Sequence, residues 1–409
     1  MIESERSQSA LEVDTDLFQR AREGAHRVLK ECLHLRASEV LALFYDETTK
    51  QVAQLLVEAA KQQRIKIIQR QVLVEEQVQT VKTGQLPRED QDALAKSRAI
   101  LLCLDSSVQV MPYRKLLINK GLGEGPLGTM PGATLEVLAH AVNVDYRQSS
   151  KQCGDLAVSL LVGEVANLKT YIFDENGSKV KEHELTLYLG GFARSPITST
   201  GIIMNGTWGN LPGGETFIAP VEGKSQGTFV LNGSFKSHVL RQGRSILLHF
   251  QEGNLKKIEG SEPEAQDLRD LVKSGANPGS FLGLAELGIG VNRGIPELTG
   301  SSLFDEKKEG TIHVAVGDNE EYGGLLSARI HEDFVSCLPS LSIDGKPILD
   351  NGKWVLAPTD WREGKAEALE LGRSLPGKFM VQRRTTLGYP DTDGRLRPPV
   401  RRNKAGLRI

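Results

Sequence analysis

Lys169–Leu189, KTYIFDENGSKVKEHELTLYL, marks the point where the chain changes character. Two β-rich runs flank Asn176-Gly177, a pair whose residues tolerate positive φ, so the stretch predicts a hairpin. On its N-terminal side, strand-like runs (EVLALFYD, RIKIIQRQVLV, RAILLCLDSS) alternate with amphipathic stretches over 17–35 and 49–63. That alternation predicts βαβ units around a parallel sheet. Further helical stretches, MPYRKLLINKG, ATLEVLAHAV and a long one passing through Asp155 to Leu168, form a connection. On the C-terminal side, 202–349 is strand-like with frequent Gly, Asn and Pro, interrupted by one helix, EPEAQDLRDLVKSG. The expected fold is an α/β N-terminal domain with a parallel sheet (1–145) followed by an α+β, mainly antiparallel-sheet domain (146–356). Residues 357–409 read as an extension; from Arg383 onward it holds eight basic residues against two acidic ones.

Bulk properties narrow the function. A chain of 409 residues exceeds what one core usually organises. Fifty Lys and Arg nearly cancel 52 Asp and Glu, so no global field attracts nucleic acid or an anionic membrane. Cys32, Cys103, Cys153 and Cys337 are scattered without a CxxC pair, which fits a reducing compartment and argues against a thiolate zinc site. The polar, acidic start does not resemble a signal peptide, and no apolar run reaches the ~18 residues of a membrane span. A cytoplasmic protein without nucleic-acid or membrane partners is expected.

Four segments carry chemistry. In SARIHEDFV, strand alternation puts His331 and Asp333 on one face, a two-ligand unit of the N/O type that suits Zn, Mn, Co or Fe(II). His313 sits mid-strand in GTIHVAVGDN, where the plain alternative is a core imidazole bonded to a carbonyl. Glu286 lies in the apolar run LGLAELGIG, and a carboxylate there is costly unless paired or metal-bound. Glu215 follows a Gly-Gly turn in NLPGGETFIAP.

Together, NLPGGETFIAPVEG, AELGIGVN, LFDEK, GTIHVAVGDN and HEDFV resemble, in order, the characteristic runs of the thermophilic metalloaminopeptidases (peptidase family M29, aminopeptidase T and S type). The resemblance implies metal ligands at Glu215, Glu286, His313, His331 and Asp333, with Glu215 or Glu286 also shuttling a proton. Such a set can hold two divalent ions (Zn, Co or Mn) about 3.5–4 Å apart with a shared water as nucleophile. It implies a hydrolase that removes N-terminal residues from peptides or cleaves a related amide, working as a homodimer.

Three departures widen the expectation. The tyrosine that follows the first histidine in the family is displaced here to Tyr322, a candidate substrate contact. Arg293 replaces a proline and could grip a substrate carboxylate. The length of the core, without its extension, is similar to that of a sister group, the 2,5-dihydroxypyridine dioxygenases, which use a single Fe(II). Ring cleavage of a small aromatic substrate is therefore the alternative, alongside recruitment to a biosynthetic pathway. Gly123–Gly128 fits GxGxxG but contains Pro126 and lacks a preceding strand, so no dinucleotide site is expected. His249, in SILLHF, is expected to be a satisfied core residue.

Overall fold

The structure is a computed structural model that describes residues 2–107, 110–260, 263–276 and 281–355, with side chains described from residue 15 onward. The chain divides into two compact units: residues up to Tyr146 together with Gly201–Gly213, and Arg147–Thr200 together with the chain from Gly214. The extension at 357–409 lies outside the described residues. No helix among the described residues is long and apolar enough to cross a membrane.

The first unit is built on a five-stranded parallel sheet in the order Lys66–Gln71, Val40–Tyr45, Ala99–Cys103, Leu127–Thr129, Trp208–Asn210. Its inner strands, VLALFY and AILLC, are continuously apolar because helices cover both faces of a parallel sheet. The fifth strand comes from Gly201–Gly213, a return of the chain that hydropathy patterning does not signal.

The second unit stacks two antiparallel sheets. The eight-stranded sheet runs Asn254–Glu259, Ile246–Gln251, Gln226–Leu231, Lys179–Tyr188, Val165–Phe173, Ser340–Ile343, Lys346–Asp350, Lys353–Trp354. The seven-stranded sheet runs His238–Val239, Ser234–Phe235, His331–Cys337, Thr311–Gly317, Leu284–Gly290, Glu215–Ile218, Ile197–Ser199. One core joins them, with Leu168, Leu187, Phe229 and Leu248 from the first sheet and Leu287, Ile289, Ile312, Val314 and Phe334 from the second. Each such side chain contributes roughly 1.5–3 kcal/mol when fully buried.

The expected hairpin is present, pairing Val165–Phe173 with Lys179–Tyr188. Only Gly177 takes positive φ (79°). The Asp174 carboxylate does the rest, accepting the Asn176 and Ser178 amides at 2.9 and 2.8 Å. The preceding helix, read from sequence as reaching Leu168, ends at Val162, and Val165 already belongs to a strand. The cause is distant in sequence: the Asp344 carboxylate accepts the amides of Glu164 and Val165 at 2.9–3.2 Å, drawing the chain out of the helix just past Gly163. Helix Pro263–Gly275 has the expected ends.

Candidate metal centre

One face of the seven-stranded sheet buries its apolar residues in the core; the other carries the ligand candidates. Register places Asp333 opposite Ala315, His331 opposite Gly317, Glu286 opposite Ala315, and Glu215 opposite Gly290. Four neighbouring strands thus project Glu215, Glu286, His313, His331 and Asp333 from one surface. A bulge at Ala285 lets Leu284 remain in the core while Glu286 turns to the ligand face.

The opposing residues are small for a reason. A Cβ on Gly288 would lie 2.0 Å from His313 Nε2, so the glycine leaves the space the imidazole fills. A Cβ on Gly290 would lie 2.1 Å from the Lys308 carbonyl oxygen, so that glycine lets the backbone of 306–308 cross the sheet closely. This crossing delivers two residues to which the sequence reading gave no role, Glu306 and Lys307.

The donor atoms converge. His313 Nε2 lies 2.9 Å from Glu286 Oε1 and 3.9 Å from Glu215 Oε2. His331 Nε2 lies 3.3 Å from Glu286 Oε2 and 3.4 Å from Asp333 Oδ1. Ligand atoms of Glu286, His313 and Asp333 all fall within 4.8 Å of one another, as do those of Glu215, Glu306 and His313. His331 belongs to neither group but borders the first. Its Nδ1 donates to the Asp318 carbonyl at 2.7 Å, a bond that leaves Nε2 as the ligating atom, as metal-binding imidazoles require. His313 Nδ1 has no hydrogen-bond partner among the described residues.

The electrostatics of the cluster couple its carboxylates to its imidazoles. Burial pushes the Glu286 and Asp333 carboxyls up, but bonds from His313 and His331 to Glu286, and from His331 to Asp333, outweigh it and hold both below the ordinary carboxylate range. Burial likewise opposes charge on the imidazoles, yet the carboxylates raise His313 to about 9 and His331 well above its usual value. The cluster thus favours positive charge next to its carboxylates, whether from protons on the rings or from a metal ion. Burial drives Glu306 well above the usual carboxylate range.

Tyr322, on the turn Glu320–Tyr322, meets His331 edge to face at 5.0 Å between ring centroids and Phe217 at 5.2 Å, with the nearby carboxylates and burial raising its phenol. Its loop is tied down by Arg194, which donates to the Gly323 carbonyl and pairs with Glu222, and by the Leu325 amide donating to Glu222 at 2.8 Å. Arg293, the other candidate substrate contact, is half exposed and donates to Glu309 at 2.7 Å. His249 is partly exposed, with Nδ1 3.0 Å from the Thr228 hydroxyl, on the eight-stranded sheet rather than the ligand face; the expectation of a core residue fails because its strand alternates and the odd positions face outward.

Fold and donor set together define an α/β unit plus an antiparallel-sheet unit with a buried carboxylate–imidazole cluster whose chemistry suits a divalent metal ion. Residues 184–356 match the family model described as NicX: 2,5-dihydroxypyridine 5,6-dioxygenase, a span that includes all five ligand candidates. Among solved structures, the 2,5-dihydroxypyridine dioxygenase from Pseudomonas putida is similar at 17% identity and a TM-score of 0.61, over 82% of this chain and 97% of that one. AmpT from Thermus thermophilus is similar at 16% identity and a TM-score of 0.56, over 83% and 99%. No curated protein matches in sequence. The fold is the one those two structures share.

Proposed function

We propose that this chain is a metal-dependent enzyme of the ring-opening dioxygenase type, acting on a small hydroxylated aromatic with one Fe(II). The observation that carries the reading is the match of 184–356, ligand strands included, to the dioxygenase family model. The site supports it, since His313 shares a compact donor group with Asp333 and His331 lies 3.4 Å from the same carboxylate, which supplies the residue types of the two-histidine, one-carboxylate set of non-haem Fe(II) oxygenases. When bound, Fe(II) supplies the one-electron chemistry by which dioxygen attacks an electron-rich ring.

The chain's own residues supply the rest. Glu286, bonded to both imidazoles, fixes their rings on the ligand face. Tyr322 and Phe217 build an aromatic wall beside His331 against which a planar substrate can stack. Their apolar edges also limit the water that reaches the cluster.

A second reading, amide hydrolysis of the aminopeptidase type, rests on the AmpT fold likeness and on the presence of both Glu215 and Glu286. One pair of assays separates the two. Oxygen uptake with 2,5-dihydroxypyridine or a related diol that depends on added Fe(II) supports the first. Release of p-nitroaniline from aminoacyl anilides with Zn, Co or Mn, and no oxygen uptake, replaces it with the second. A homodimer is part of the proposal, tested by light scattering of the purified chain.

A further inference from the structure

Lys307 is fully buried, and its ammonium sits among carboxylates on the ligand face. Nζ is 2.8 Å from Glu215 Oε1 and in contact with Glu306. These two carboxylates belong to the second group of donor atoms, Glu215, Glu306 and His313, that is compact enough to hold an ion. Lysine therefore engages two of the three members of that group, while the first group, Glu286, His313 and Asp333, has no lysine or arginine paired with it among the described residues.

The lysine is held there by its backbone. The Asn292 amide donates to the Lys307 carbonyl at 2.8 Å, and Lys308 Nζ donates to the carbonyls of Ile295 and Pro296, each at 2.8 Å. Just upstream, the Asp305 carboxylate accepts the amides of Thr299 and Gly300 at 2.7 and 2.8 Å. Gly290 completes the seat, because any Cβ there would strike the 306–308 backbone. A segment fixed on both sides aims its side chain at one place, and that place lies between Glu215 and Glu306.

We infer that Lys307 is a built-in cation that takes the second metal position, so that the centre holds one divalent ion, at His313, His331 and Asp333 beside Glu286, and not two. Glu215 and Glu306 face the ammonium in place of an ion. The lysine thereby sets the number of metals that the site can hold. Residue type matters, since an ammonium is a compact point charge that can bond two carboxylates without demanding the deprotonated donors a metal needs.

The inference rests on the metal-centre part of the proposed function but not on the reaction, because a metal count is indifferent to whether oxygen is consumed. The test is the number of ions bound per full-length chain after equilibrium dialysis against Mn²⁺ and, separately, Zn²⁺, read by emission spectrometry. The native chain is expected to hold one, and Lys307→Met, which leaves Glu215 and Glu306 without a counter-charge, is expected to hold two. Two ions in the native chain would show that the lysine gives way, and would overturn the inference. One ion in a folded Lys307→Met chain would overturn it as well. Should that variant not fold, the native count alone decides. An absence of bound ions would remove the centre along with the inference.

Discussion

Each unit buries a charged cluster, and the two differ in whether they are complete. In the first unit, Asp90 is fully buried; Oδ1 accepts Arg70 Nε at 2.7 Å and Oδ2 accepts the Tyr113 hydroxyl at 2.8 Å, while Arg70 also meets Glu89. Both of its oxygens are satisfied, and its charge is matched within the protein. In the second unit, Glu215, Glu286 and Asp333, with Glu306 pushed towards its neutral form by burial, face one lysine and two imidazoles, so the positive charge within the protein matches theirs only if both rings take up protons. A cluster that closes on itself holds a fold together. One that is left short of positive charge is a place for a ligand to complete, and four strands are arranged to keep it so.

The largest effect that separates them is catalytic. His331→Ala and Asp333→Ala should each lower activity by more than about a hundredfold, exceeding the loss typical of a supporting residue, while the circular dichroism spectrum stays native. Full activity in either would end the assignment. Stability should behave the opposite way. Asp90→Ala leaves Arg70 and Tyr113 without their buried partner and should cost about 3–5 kcal/mol in denaturant unfolding. In metal-free protein Asp333→Asn should cost less, because the partner left behind, His331, can give up its proton, whereas the Arg70 guanidinium cannot. Equal losses in the two variants would erase the distinction.

Metal removal comes next. If the second cluster is completed by an ion, chelation should lower Tm by the binding linkage, about 2.7 kcal/mol at a free metal concentration a hundred times Kd. An unchanged melt would indicate that nothing had been bound. Gly288→Ala should weaken metal affinity by about ten- to a hundredfold, since its methyl group would occupy the space of the His313 ring, yet leave the fold intact. The smallest effect is expected at Arg293→Ala, which breaks an exposed pair with Glu309 worth under about 1 kcal/mol. A tenfold rise in KM there would bring Arg293 into the substrate site.

What was legible in the sequence follows from periodicity. His331 and Asp333 share a face because strands alternate, and a glutamate amid LGLAELGIG stands out because burial demands a partner. Lys307 shows in the sequence only as the end of LFDEK, near the ligands and able to line the pocket but without a role, since its burial comes from a crossing segment and not from its own strand. Its signal was the second glycine of AELGIG, an empty position opposite Glu215 that only a close backbone approach explains. Likewise, the helix that stops at Val162 and the parallel strand supplied by Trp208–Asn210 depend on partners far along the chain, Asp344 and Leu127–Thr129, which no local pattern announces.

The most direct test of a metal centre on this face is an anomalous-difference map from crystals of the chain loaded with Fe(II) or Mn²⁺. The account predicts one peak bounded by Glu286, His313, His331 and Asp333. A loaded crystal with no peak there, or with its peak elsewhere on the chain, would contradict it.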